Sequence, residues 1–228
     1  MITAFIPARL DSTRLPGKGL LDVAGKPMLS YLVERIKACP SIDNIVLITT
    51  DRPIDNPLVD YSKSEGIGIF RGVLENVLNR FRKAADATKS DIIIRANGDS
   101  PLLCPLLTEL AIAQLKNNDL DFLTGKNKFT KLPIGLLGEF FQNNILQTLD
   151  DFELDTFDKE HVSSYIFKNP NKFNWNHFQP PKDYTHYSNV DLTVDTPEDF
   201  EKFKTWVTSS SNTPVDWRTS DFIKHFST

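Results

Sequence analysis

The chain has 228 residues, 40% hydrophobic and 25% charged, with a formal net charge of −4, a globular composition long enough to bury a sizeable core. A mildly acidic chain without a Lys/Arg block lacks the basic face that duplex DNA requires, and no run of about 18 apolar residues marks a membrane-spanning helix. Two cysteines, Cys39 and Cys104, build neither a disulfide framework nor a cysteine zinc site.

The remaining expectations from composition are a cytoplasmic protein with reduced thiols, no signal peptide, no nucleic-acid partner and no membrane partner. Charge is uneven along the chain. Eight of the nine arginines lie at or before Arg95, and thirteen of the sixteen phenylalanines at or after Phe122.

In chain order, Ile2–Pro7 reads as a buried strand stopped by Pro7. A polar loop with Pro and Gly follows through Gly19. Pro27 opens a helix carrying Leu29, Leu32, Val33 and Ile36 at helical spacing. Residues 45–49 form a second strand, and Asn56–Ser64 a short helix with Pro57 in its first turn. Residues 68–70 form a short strand, 74–87 a helix, 91–95 a strong strand and 102–116 the next helix. Beyond residue 123 the pattern loosens. Residues 126–131 are turn-like, 132–137 and 173–178 strands, 138–149 and 158–168 helices. Residues 189–194 form a last strand, followed by a helix with Thr196 as N-cap and Pro197 at its first position. Residues 209–212 are a linker before a small helix at 220–226.

Apolar strands alternating with helices predict an α/β fold, a doubly wound, mostly parallel sheet flanked by helices. Ligands in such sheets bind beyond the carboxyl ends of the strands. Three polar segments lie there: residues 7–19, 49–51 and 97–101.

The first loop gathers Arg9, Arg14 and Lys18 with Ser12, Thr13 and two glycines directly after a strand. Arginine forks and a lysine neutralise phosphate oxygens, and glycines admit a ligand close to the backbone. The loop reads as a polyphosphate cradle, although it matches neither a Walker loop nor a dinucleotide fingerprint. Asp99 and Asp195 each follow an apolar strand. Two such carboxylates can share one Mg²⁺, which usually takes one or two carboxylates plus substrate phosphates. The histidines show no zinc spacing, and no Gly-x-Ser-x-Gly elbow occurs.

The strings Ile6-Pro7-Ala8-Arg9, Ser12-Thr13-Arg14-Leu15-Pro16-Gly17-Lys18 and Ala24-Gly25-Lys26-Pro27-Met28 closely resemble the cytidylyltransferases that make CMP-sugars. Those are the 3-deoxy-manno-octulosonate and acylneuraminate enzymes and the SpsF-type spore-coat polysaccharide branch, which is the most similar in detail. The likeness continues through Thr49-Thr50-Asp51, Val77-Leu78-Asn79-Arg80, Arg95-Ala96-Asn97-Gly98-Asp99-Ser100-Pro101, Glu160-His161-Val162 and Val194-Asp195-Thr196-Pro197-Glu198-Asp199, covering about residues 2–206.

The resemblance implies a Rossmann-like nucleotide-diphospho-sugar transferase fold and the transfer of CMP from CTP to a sugar, releasing pyrophosphate. It implies triphosphate contacts from Arg9, Ser12, Arg14 and Lys18, and cytidine contacts from Pro7, Ala8, Asp51, Arg80 and Asn97. It implies Mg²⁺ on Asp99 and Asp195, and a sugar facing Glu160, His161 and Tyr165. Arg14, Lys18 and Asp99 would carry the catalysis. The SpsF-type pattern usually has Asp where this chain has Asn79. Two alternatives stay open: a nucleotidyltransferase using another nucleotide or a non-sugar-acid alcohol, or a non-catalytic nucleotide- or sugar-binding subunit. The expected organisation is one domain, with a nucleotide half at 1–118, an acceptor and dimerisation half at 119–206 and a tail at 207–228. A homodimer is expected, with Phe140, Phe141 or Phe152 as interface candidates.

Overall fold

A computed structural model describes residues 1–210 and 213–227. The expected linker at 209–212 therefore falls partly outside the described residues, at Ser211 and Asn212. In chain order the strands are β1 (Ile2–Pro7), β2 (Asp22–Val23), β3 (Lys26–Pro27), β4 (Asn44–Thr50), β5 (Gly68–Gly72), β6 (Ile92–Arg95), β7 (Phe122–Thr124), β8 (Glu139–Gln142) and β9 (Trp175–His177). The helices are α1 (Met28–Lys37), α2 (Asn56–Ser64), α3 (Val77–Thr88), α4 (Pro105–Asn117), α5 (Asn127–Thr130), α6 (Asn143–Asp150), α7 (Thr156–Glu160), α8 (Ser164–Lys168), α9 (Pro197–Ser209) and α10 (Thr219–Phe226).

Seven strands form one sheet in the order β5-β4-β1-β6-β8-β7-β9. β5, β4, β1 and β6 pair in parallel, while β8 runs antiparallel to both β6 and β7. β2 and β3 form a separate two-residue hairpin, turned by Ala24 (φ 52°) and Gly25 (φ 89°), the left-handed pair that tight hairpins favour.

The strands read as continuous apolar runs because both faces of the sheet are covered. Ala4, Ile6, Ile92 and Ile94 point to a core built with α1, α4, α9 and α10. The alternate residues Phe5, Ile93 and Phe141 point to a second core with α3 and α6. Among the described residues, no helix is long and apolar enough to cross a membrane.

Five expected elements come out differently, the first being residues 126–131, read as turn-like, which carry the one-turn helix α5. Residues 138–149 divide into β8 and α6, because the open edge of β6 takes a strand there. Phe140 and Phe141 alternate into the two cores and are fully buried, so neither is an exposed interface residue; Phe152 is half-buried. Residues 132–137 and 189–194 are not strands. They meet in one bridge, Ile134 to Asp191, where Gly135 (φ 83°) turns the chain. Val190, Leu192 and Val194 are buried and Asp191 is exposed, an alternation that comes from lying along the rim of the core without joining the ladder. The expected helix at 158–168 breaks at His161 (φ −103°, ψ 78°) into α7 and α8.

Candidate active site

β1 ends at Pro7, whose ring removes a donor and stops the ladder. The chain then turns across the carboxyl edge of the sheet. The Ala8 N–H bonds the Ile48 carbonyl at 3.0 Å, and the Gly17 N–H bonds the Leu10 carbonyl at 2.9 Å. Buried Asp55 anchors the loop by accepting the Leu10 N–H at 2.8 Å and the hydroxyl of Thr50. Arg52 holds Asp11 at 2.7 Å, and that hydrogen bond keeps the Asp11 carboxyl below the usual carboxylate range. The loop is thus pinned at several points, which lowers the entropic cost of ordering its cations on a ligand.

Lys18 brings the two strand-end aspartates together. Its Nζ lies 3.3 Å from Asp99 and 2.8 Å from Asp195, and donates to the Val194 carbonyl at 3.1 Å. Arg14 reaches the other oxygen of Asp195 at 3.1 Å. Main-chain atoms stitch the same junction, with the Val194 N–H on the Asp99 carbonyl at 2.8 Å. Burial works against ionising Asp195, but the Lys18 hydrogen bond and the charges of Lys18 and Arg14 outweigh it and hold its pKa below the ordinary value. Gly98 is required here: a Cβ would sit 2.8 Å from the Pro7 carbonyl oxygen.

Asp195 is aimed by the start of α9. Thr196 caps the Asp199 N–H at 3.2 Å, and Asp199 accepts the N–H groups of Thr196 at 2.9 Å and Asp195 at 3.1 Å, a capping box with one additional bond. Thr196→Ala is expected to cost about 1 kcal/mol, read as a lower urea midpoint with an unchanged m-value.

These elements enclose a cleft of about 460 Å³. Pro7, Ala8, Arg9, Ser12, Arg14 and Lys18 line it from the first loop. Asn97, Asp99 and Asp195 line it from the strand ends, Arg80 from α3, and Glu160 and His161 from the end of α7. Arg80 is buried, with Nη1 on the Val73 and Leu74 carbonyls; burial first, then the charge of Arg9, lowers its pKa.

Two residues expected at the site lie elsewhere. Tyr165 stacks on Phe152 at 5.0 Å and accepts a hydrogen bond from Lys172 at 3.1 Å, because the break at His161 rotates α8 onto that neighbour. Asp51 is exposed outside the cleft, its N–H on the Gly72 carbonyl at 3.0 Å. Asn79, the departure in the α3 segment, is also outside. Its amide donates to Asp150 at 3.0 and 3.3 Å.

The cleft also contains residues that sequence reasoning did not single out, including Val77 and Arg95. Arg95 carries the signal that flagged Asp99: it ends an apolar strand at the carboxyl edge.

A basic loop and paired carboxylates over the carboxyl edge of a mostly parallel sheet are how Rossmann-like nucleotidyltransferases are built. The chain belongs to the cytidylyltransferase family, whose family model matches residues 3–214. It is 33% identical over 208 residues to the spore coat polysaccharide biosynthesis protein SpsF of Bacillus subtilis, covering 89% of this chain and 85% of that one. It is 32% identical over 152 residues to the 3-deoxy-manno-octulosonate cytidylyltransferase of Geobacter sulfurreducens, covering 67% and 58%. A solved cytidylyltransferase from Leptospira borgpetersenii superposes with a TM-score of 0.89 at 29% identity, covering 98% of this chain and 92% of that one.

Proposed function

We propose that the chain is a CMP-sugar synthetase, transferring CMP from CTP to a hydroxyl of a sugar and releasing pyrophosphate. The observation that carries this reading is the convergence of Asp99 and Asp195 on a single cation, the Lys18 ammonium, beside the Arg9–Ser12–Arg14 loop. A pair of carboxylates already gathered around one positive charge suits Mg²⁺, with phosphate oxygens completing its shell. Asp99 and Asp195 would hold that ion, and when bound it supplies neutralisation of the charge on the reacting phosphates.

In the reaction, the sugar oxygen attacks the α-phosphorus of CTP in line, and the bond to the bridging oxygen breaks. The hydroxyl proton leaves, and pyrophosphate takes the electron pair. Arg9 and Ser12 bind and orient the triphosphate. Arg14 and Lys18 stabilise the negative charge that builds on the leaving oxygens, the place where such transfers gain most rate. Glu160 and His161 face the acceptor across the cleft. Asn79 does not support a different nucleotide, because its side chain is spent on Asp150.

The test is pyrophosphate release with CTP, Mg²⁺ and a panel of sugars headed by 3-deoxy-manno-octulosonate and N-acetylneuraminate. CTP-dependent release is expected. Failure to bind CTP in the presence of Mg²⁺ overturns the proposal.

A further inference from the structure

Arg95 is a cation of the cleft that is not committed to the two aspartates. It ends β6, and the strand register sets it opposite Glu139, the first residue of β8. Its Nη1 lies 3.2 Å from Glu139 Oε2, and Glu139 is 5% exposed. Lys126 approaches the other Glu139 oxygen at 3.4 Å and donates to Ser163 at 2.9 Å. Two cations share one carboxylate, so the cluster keeps a net charge of about +1.

The guanidinium is only half used. Among the described residues Nη2 has no protein partner, and Nε is buried without one. Native proteins leave few buried donors unsatisfied. Nη2 is therefore left to donate a charge-assisted hydrogen bond to an incoming carboxylate.

Position separates this group from the phosphate loop. Arg95 lies two residues beyond Ile93, and Glu139 two before Phe141, so both side chains project to the sheet face covered by α3 and α6. Val162, directly after His161, packs into the same core. Glu160 and His161 therefore border the cleft on the side where Arg95 lies, whereas Arg14 and Lys18 are engaged with Asp195 and Asp99.

We propose that Arg95 is an acceptor-recognition residue whose unpartnered Nη2 donates to an acidic group of the sugar, and that Glu139 is a positioning residue that fixes the guanidinium plane. This deepens the synthetase reading and rests on it.

The experiment compares wild type with Arg95→Met, Arg95→Lys and Glu139→Gln. CTP affinity is measured by calorimetry with Mg²⁺. Acceptor KM and kcat are measured with 3-deoxy-manno-octulosonate and N-acetylneuraminate as acidic probes and mannose as an uncharged one. Arg95→Met is expected to raise KM for the acid by about 10- to 100-fold, the range for losing a charge-assisted hydrogen bond, with CTP affinity within about twofold. Arg95→Lys should fall between, because an ammonium keeps the charge and loses the planar guanidinium that Glu139 orients. Glu139→Gln should raise KM and leave CTP binding alone. Should Arg95→Met fail to fold, the same split in Arg95→Lys and Glu139→Gln decides.

An unchanged acceptor KM, or a parallel fall in CTP affinity, overturns the assignment. So does a wild type that binds CTP yet uses mannose alone or none of the probes. A wild type that fails to bind CTP overturns the underlying function instead.

Discussion

Asp99→Asn and Asp195→Asn are each expected to lower CTP-dependent pyrophosphate release by about 100- to 1,000-fold, the loss that follows removal of one element of transition-state charge stabilisation. The substitutions keep the volume and remove one negative charge from a junction where two carboxylates meet one ammonium. On the proposed shared site the pair acts as a unit, so the double variant should be little worse than either single one. Pyrophosphate release reports the loss, and calorimetry with CTP alone separates it from nucleotide binding. Lys18 and Arg14 remain in place, so CTP binding without Mg²⁺ is expected to persist in both variants. A single variant that retains the wild-type rate removes the aspartates from the mechanism.

Gly138→Ala is the substitution expected to cost most stability outside the site. Gly138 precedes β8, and a Cβ there would land well inside contact distance of the Arg95 carbonyl oxygen. That oxygen belongs to the backbone and cannot swing aside. Gly125 meets the same crossing from the other side: its N–H bonds the Gly138 carbonyl at 3.0 Å, and its own Cβ would lie 2.5 Å from that oxygen. Forcing in a methyl group separates β6 from β8 and costs about 3 kcal/mol, which for a chain of this size lowers Tm by about 6–12 °C. Acceptor binding should weaken as well, since the displaced backbone carries Arg95. A melting temperature within about 2 °C of wild type contradicts the close approach.

Much of the fold is legible in residue order. Ile2–Pro7 and Asn56–Ser64 have the bounds that their apolar run and first-turn proline suggest. The start of α9 follows from Thr196-Pro197-Glu198-Asp199, because capping is local chemistry. The aspartates are legible for the same reason: each directly follows an apolar run, and α/β topology gathers such positions at one edge. β8 is not legible. Glu139-Phe140-Phe141-Gln142 has no intrinsic signature that outweighs a helical reading, and its strand state is imposed by the unpaired edge of β6. The segment 189–194 fails in the opposite sense: its alternation is real but records a rim position without a ladder partner. Tyr165 and Asn79 show that a segment's likeness to a family does not fix where each side chain points. One break at His161 turns the first toward Phe152, and helix α3 carries the second to Asp150.

The reversed strand β8 has a consequence for how the chain comes off the ribosome. Before residues 139–142 emerge, β6 has β1 on one side and nothing on the other, presenting the unpaired edge of Ile92-Ile93-Ile94. Three consecutive β-branched residues without proline or charge make the kind of edge that templates strand addition between chains. In that half-made chain the gatekeeper is Arg95, a charge set at the end of the vulnerable run before its partner Glu139 has been made, so the residue proposed for acceptor recognition would also discourage self-association.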